Sequence, residues 1–155
     1  MRKLEEKNVA ILIDGPNFLR KEFDVSLSEI KKIAKKYGRI TVAKVFVNQF
    51  APSKLIEAII NEGFECLTYL SEKEDQDIDV ALAVSAMEIL LTKNIDVLVL
   101  CSRDTDFFPL IQKFKEYGKT VVLVGIKDNV PSSLRKSSDF VEFLREKEKV
   151  QTEEL

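Results

Sequence analysis

Residues 9–13, Val-Ala-Ile-Leu-Ile, form an unbroken apolar run that stops at Asp14-Gly15-Pro16-Asn17. A run without alternation, closed by turn residues, is the pattern of a strand buried on both faces. Such strands belong to parallel sheets, whose crossover helices cover both sides. Gly15 and Pro16 end the strand and leave the carboxylate of Asp14 at its carboxyl end. Open α/β sheets bind ligands at that end. Taken alone, the same stretch also reads as a strand followed by an Asx turn.

The rest of the chain keeps alternating. Ser26-Leu27-Ser28-Glu29 has capping-box spacing and opens a helix with Leu27, Ile30, Ala34 and Tyr37 on one face, ended by Gly38. Lys31, Lys32, Lys35 and Lys36 lie off that stripe and read as a solvated face rather than an RNA-contacting patch. A second strand runs from Ile40 to Val47. A helix from Pro52 carries Leu55, Ile56, Ile59 and Ile60 on its buried side until Gly63, and Phe64 to Leu70 is a third strand. A polar loop follows, in which Asp77 is placed to cap the next helix. Ile78 to Leu91 is apolar nearly all round, which predicts a mostly buried helix.

Ile95 to Cys101 is another continuous apolar strand, followed at once by Ser102-Arg103-Asp104-Thr105-Asp106. Phe107, Leu110, Ile111 and Phe114 then mark a helix ending at Gly118. Thr120 to Ile126 is a strand, Pro131 to Lys136 a short helical piece, and Phe140 to Leu144 a last apolar segment. This order predicts an α/β fold with three layers, α/β/α, around a central, mainly parallel sheet of five to six strands. With 155 residues, no internal repeat and no linker, it reads as one domain over residues 1–145 and a charged tail at 146–155.

Composition narrows the chemistry. No apolar run reaches the roughly 18 residues of a membrane span, and the acid-bearing N-terminus lacks the apolar core of a signal peptide, so a cytoplasmic protein is expected. Cys66 and Cys101 sit in apolar runs without CxxC spacing and read as buried free thiols. The chain contains no histidine. It therefore has no imidazole base and no Ser-His triad, and any metal must be held by oxygen, which favours Mg²⁺, Mn²⁺ or Ca²⁺. A net charge of −2 means that a polyanionic partner would need basic residues gathered on one face.

Three places carry acids that matter: Asp14, Asp79 near the start of the apolar helix, and Asp104 with Asp106 after the fourth strand. In a doubly wound sheet the first and fourth strands can be neighbours, which brings Asp14, Asp104 and Asp106 into one crevice. Asp79 stands out on a helix whose other positions are mostly apolar, where a carboxylate needs a partner. Carboxylates about 4 Å apart repel by roughly 4 kcal/mol at an effective dielectric near 20. A divalent cation would relieve that repulsion and suit phosphoryl chemistry. Placed separately, Asp79 and Asp106 would be helix-start residues favoured by the dipole, and Asp104 a turn acid.

Ile13-Asp14-Gly15-Pro16-Asn17, Asp79-Val80-Ala81-Leu82-Ala83-Val84, Ser102-Arg103-Asp104-Thr105-Asp106-Phe107 with Pro109 and Leu110, and Leu134 with Asp139-Phe140 together resemble the NYN domain family. These are the LabA-like proteins of the PIN-like nuclease superfamily, and the resemblance runs from about Val9 to Leu144. It implies a PIN-like fold and Mg²⁺- or Mn²⁺-dependent cleavage of RNA phosphodiesters. By position, Asp14, Asp79, Asp104 and Asp106 would be the metal-binding, catalytic acids. Asn17 would support the first and Ser102 the last pair.

Two positions depart from the pattern. Arg103 stands where the family often has Gly; the archaeal-type branch looks similar to this chain in that respect, and an Arg there could contact a phosphate. Ser85 stands where many members carry another acid on the central helix. PIN-like domains often pair, so a homodimer is also implied.

The leading expectation is thus a metal-dependent ribonuclease acting on an RNA substrate. The alternative is a catalytically weak RNA-binding or regulatory module with the same fold, which Ser85 and the acidic net charge favour. A receiver or a haloacid-type phosphatase fits poorly, because Asp14-Gly15-Pro16-Asn17 has neither paired acids nor Asp-x-Asp. The glycine fingerprint of nucleotide-cofactor folds is absent too.

Overall fold

A computed structural model describes residues 6–20, 24–73, 78–126 and 130–145. Its centre is a six-stranded sheet in the order β3-β2-β1-β4-β5-β6, and every pairing in it is parallel. The strands are β1 (Asn8–Asp14), β2 (Arg39–Asn48), β3 (Glu65–Tyr69), β4 (Val97–Cys101), β5 (Thr120–Ile126) and β6 (Phe140–Leu144). The single turn α1 (Gly15–Phe18) follows β1. The other helices are α2 (Leu27–Lys35), α3 (Ser53–Asn61), α4 (Asp79–Thr92), α5 (Phe108–Glu116) and α6 (Ser132–Ser137). The last apolar segment of the sequence is thus a full strand, and the sheet has the larger of the expected strand counts.

The unbroken apolar runs become the centre of the sheet. Val9 to Ile13, Val97 to Cys101 and Val121 to Val124 are all buried. Side-chain alternation divides them between two cores. Val9, Ile11, Ile13, Val97 and Val99 face Ile30, Ile33 and Ala34 of α2 and Ile59 of α3. Ala10, Leu12, Leu98 and Leu100 face Leu82, Ala86 and Ile89 of α4 and Leu110, Ile111 and Phe114 of α5. The chain builds leftward from β1 through β2 to β3, then returns to β4 and builds the other way. The switch point, where such sheets open a crevice, lies between the carboxyl ends of β1 and β4.

Helix ends follow their signals with one change. Ser26 caps α2, accepting from the Glu29 amide at 3.3 Å. The Glu29 carboxylate, however, takes the backbone N–H of Arg145 at 2.7 Å, so this acid ties α2 to the end of β6. Gly63 and Gly118 close α3 and α5 with φ of 84° and 78°, the left-handed region glycine enters without strain. The capping role expected of Asp77 lies outside the described residues, as does the tail 146–155.

The helix α4 differs from the expectation of a mostly buried element. Leu82, Ala86, Ile89 and Leu90 are buried, but Val80, Val84 and Leu91 are more than 60% exposed. A three-layer fold covers only one face of each helix, so apolar residues all round α4 leave some on the surface. Cys101 is buried, Cys66 only half-buried, and both are free thiols. Burial raises the pKa of both. No described helix is long and apolar enough to cross a membrane.

Candidate metal centre

Strand register builds the site. Ile13 lies opposite Cys101, so Asp14 and Ser102 are the next residues on adjacent parallel strands. By alternation both continue the face of Leu12 and Leu100, under the helix layer that contains α4. A crossover helix runs antiparallel to the strands, so the first residue of α4, Asp79, arrives at their carboxyl ends. Asp104, three residues past β4, caps the 3-10 turn Thr105–Phe107 by accepting the Asp106 amide at 2.9 Å. Buried Phe107 anchors that turn in the core.

The outcome is a cluster of three carboxylates. Asp14, Asp79 and Asp104 each offer one oxygen, and the three oxygens lie within 4.8 Å of one another. Ser102 joins two of the acids: its hydroxyl donates to Asp14 Oδ2 at 3.0 Å and accepts the Asp104 N–H at 3.1 Å. Asp14 is fully buried, and its Oδ1 has no hydrogen-bond partner among the described residues. Burial pushes its pKa up from 3.8 to about 6. The Ser102 hydroxyl opposes that rise, the Asp104 charge adds to it, and the nearby amide groups of Asn17 offset part.

A divalent cation fits this donor set. Three oxygen ligands and no nitrogen or sulfur suit a hard ion, and the orphaned Asp14 oxygen is what such an ion would satisfy.

A family model described as NYN domain matches residues 8–145. The chain belongs to the NYN domain family. An uncharacterized protein of Methanocaldococcus jannaschii is 40% identical over 151 residues, an alignment covering 94% of this chain and 61% of the relative. The chain therefore spans about three fifths of that relative's length. The crystal structure of a protein of unknown function from Vibrio parahaemolyticus is similar with a TM-score of 0.77 at 21% identity, covering 94% of this chain and 98% of the other. The fold is PIN-like, and the family is nuclease-like.

Within this NYN domain the remaining candidate residues sit around the three-acid cluster. Asp106 is exposed on the 3-10 turn and its carboxylate is not one of the three clustered groups. Arg103 is half-buried and its Nη2 donates to Asn17 Oδ1 at 3.2 Å and to the Asn17 carbonyl at 3.4 Å. That clasp joins α1 to the loop after β4, across the switch point. Asn17 therefore serves two neighbours, Asp14 and Arg103. Ser85 is half-buried on α4, six residues past Asp79, about 9 Å further along the helix axis.

Asp139, part of the family resemblance, staples β5 to β6 by accepting the Val121 N–H at 2.8 Å. Two of the lysines on α2 and at its C-cap have partners of their own. Lys36 pairs with Glu142 at 2.7 Å, and Lys31 donates to the Glu62 carbonyl and lies over the Phe64 ring.

One buried polar side chain near the crevice was not among the residues expected from the sequence. Asn48, at the end of β2, is 4% exposed and accepts the Phe50 N–H at 2.9 Å. Its signal was available: an Asn closing a continuous apolar strand, as Asp14 does.

Proposed function

We propose that this NYN domain is a divalent-metal-dependent ribonuclease, hydrolysing RNA phosphodiester bonds with Mg²⁺ or Mn²⁺ at the Asp14-Asp79-Asp104 cluster. The observation that carries the reading is the convergence of three carboxylates from three separate elements at the topological switch point. Asp14, Asp79 and Asp104 would hold the ion, and Ser102 orients Asp14 through the hydroxyl it donates. The bound cation would supply a Lewis acid that activates water and offsets charge developing on the phosphate.

Asp106, exposed on the 3-10 turn next to Asp104, would accept a proton or reach the ion through water. Arg103 and Asn17 hold the mouth of the crevice in one shape, with the guanidinium charge near the path of a phosphate. In a chain without histidine, protons leave through carboxylates or solvent. The reading includes a cytoplasmic setting and a pairing of two copies. Light scattering that gives the mass of one chain at working concentrations would remove the pairing.

The alternative, an RNA-binding module of weak activity, draws on Ser85 in place of a family acid. One assay separates the two. Labelled single-stranded RNA is incubated with the protein in Mn²⁺, Mg²⁺ or EDTA, beside Asp79→Asn and Asp104→Asn. Cleavage that needs the metal and both acids supports the nuclease. Binding without cleavage supports the module, and cleavage that survives both substitutions belongs to a contaminant.

A further inference from the structure

We infer that the cleft beside Asp14 is a nucleobase subsite in which Phe50 stacks on an unpaired base next to the phosphate held at the acid cluster. Gly15, Pro16, Arg20, Asn48 and Phe50 line a cleft of about 150 Å³. Gly15 and Pro16 directly follow Asp14, so one wall of the cleft is the chain that leaves the acid cluster, and Leu19, Val47 and Leu55, which pack with the core under α2 and α3, form the other side. This inference rests on the ribonuclease reading, because that reading supplies the strand whose base is bound.

Phe50 is 45% exposed and belongs to neither core. An aromatic ring left on the surface matters when its carrier is rigid, and this one is pinned at several points. Its N–H donates to Asn48 Oδ1 at 2.9 Å, and Ala51 N–H donates to the Asn48 carbonyl at 3.2 Å. The Gln49 side chain pairs with both backbone groups of Ser71, tying the turn to the loop after β3. The backbone turn that carries the ring therefore needs little ordering on binding.

Position and charge select the occupant. Asp14 pairs with Phe46 in the sheet, and Asn48 is two residues beyond, which puts it about 8 Å from Asp14 by strand rise and spacing. Phe50 follows two residues later, so the base on its ring would belong to a nucleotide flanking the scissile phosphate. Arg20 at the rim donates its Nε–H to the Pro16 carbonyl at 3.4 Å, which brings a positive charge to the side where a sugar-phosphate backbone would pass. An aromatic face and a guanidinium lining one cleft are a combination that suits an unstacked base. A base paired in a duplex could not reach the ring, so the subsite also selects single-stranded segments.

The test is a cycle of equilibrium binding in EDTA, which reads binding without cleavage. Fluorescence anisotropy is measured with a short single-stranded RNA and with a set carrying one abasic position each, against the unaltered protein, Phe50→Ala and Phe50→Trp. Phe50→Ala should weaken binding of the intact RNA roughly 5- to 100-fold, the range for one base stacked on an aromatic. Phe50→Trp should restore it. One abasic position should cost the unaltered protein a similar factor and cost Phe50→Ala almost nothing.

Losses that multiply independently at every position, or no RNA binding at all, overturn the subsite. Coupled losses in a protein that never cleaves leave the subsite standing and remove the nuclease. Metal-dependent cleavage without coupling does the reverse.

Discussion

Replacing Asp14 with asparagine should make the metal-free protein more stable at neutral pH while removing a cation ligand. The side chains are nearly isosteric, and an amide oxygen can still accept the Ser102 hydroxyl that Asp14 accepts at 3.0 Å. What disappears is the ionised charge. In the fold the Asp14 pKa is raised from 3.8 to about 6, chiefly by burial. A raised carboxyl pKa means the folded state disfavours ionisation. Its contribution to stability is fully present below 3.8 and lost as pH rises through 6. At about 1.36 kcal/mol per pH unit, the whole loss is about 3 kcal/mol.

About 2 kcal/mol of it falls between pH 4.5 and 8, since the unfolded chain is already mostly ionised at the lower value. Urea unfolding in EDTA should therefore show the gap between Asp14→Asn and the unaltered protein widening by about 2 kcal/mol over that span. Near pH 8 this is roughly 4–8 °C in Tm for a domain of this size. Adding Mn²⁺ should stabilise the unaltered protein and leave the variant where it was. A gap that stays constant with pH would mean that Asp14 ionises as readily in the fold as in the unfolded chain, and the burial argument would be wrong.

Other consequences are simpler. Ser102→Ala removes the hydroxyl between Asp14 and Asp104; calorimetry should find Mn²⁺ affinity about 10- to 100-fold lower with an unchanged circular dichroism spectrum. An unchanged affinity would reduce Ser102 to a packing residue. Gly15→Ala places a Cβ 2.4 Å from the Phe46 carbonyl oxygen and 2.8 Å from Val47 Cγ1, so α1 must lift from β2. Thermal unfolding should show a loss of about 1–3 kcal/mol, and a neutral result would mean that the approach is looser than it is drawn. Cation binding requires Asp14 ionised, so Mn²⁺ affinity should fall below pH 6 and level off above it. An affinity flat from pH 5 to 8 would take Asp14 out of the ligand set.

Much of this fold was legible because its central strands are unbroken apolar runs. Val9 to Ile13 and Val97 to Cys101 have no polar residue to place outward, and with helical patterns between the strands a doubly covered parallel sheet accommodates them best. Asp14, Asp79 and Asp104 were legible as a group because each stands at the end of an element, where a polar residue after apolar ones has a position to explain. The choice between Asp104 and Asp106 was not legible. Two acids flanking Thr105 look alike in sequence, and only the 3-10 turn separates the clustered carboxylate from the exposed one.

The outward face of α4 was hidden for a different reason: a helix apolar on every side gives no clue to which side the sheet will cover. Glu29 looked like half of a capping box, and its side chain was claimed by Arg145, 116 residues away. Local pattern cannot foresee such a competitor. Asn48 and Phe50 were not singled out, because only the pairing of β1 with β2 brings the end of β2 beside Asp14.

The account stands most directly on one ion in one place. Crystals soaked in Mn²⁺ and measured near the manganese edge should give an anomalous peak bounded by carboxylate oxygens of Asp14, Asp79 and Asp104, at the short oxygen distances of a hard divalent cation. Crystals of Asp14→Asn treated alike should lose it. A peak elsewhere on the chain, or none at a concentration well above that which supports cleavage, would contradict the metal centre and the ribonuclease built on it.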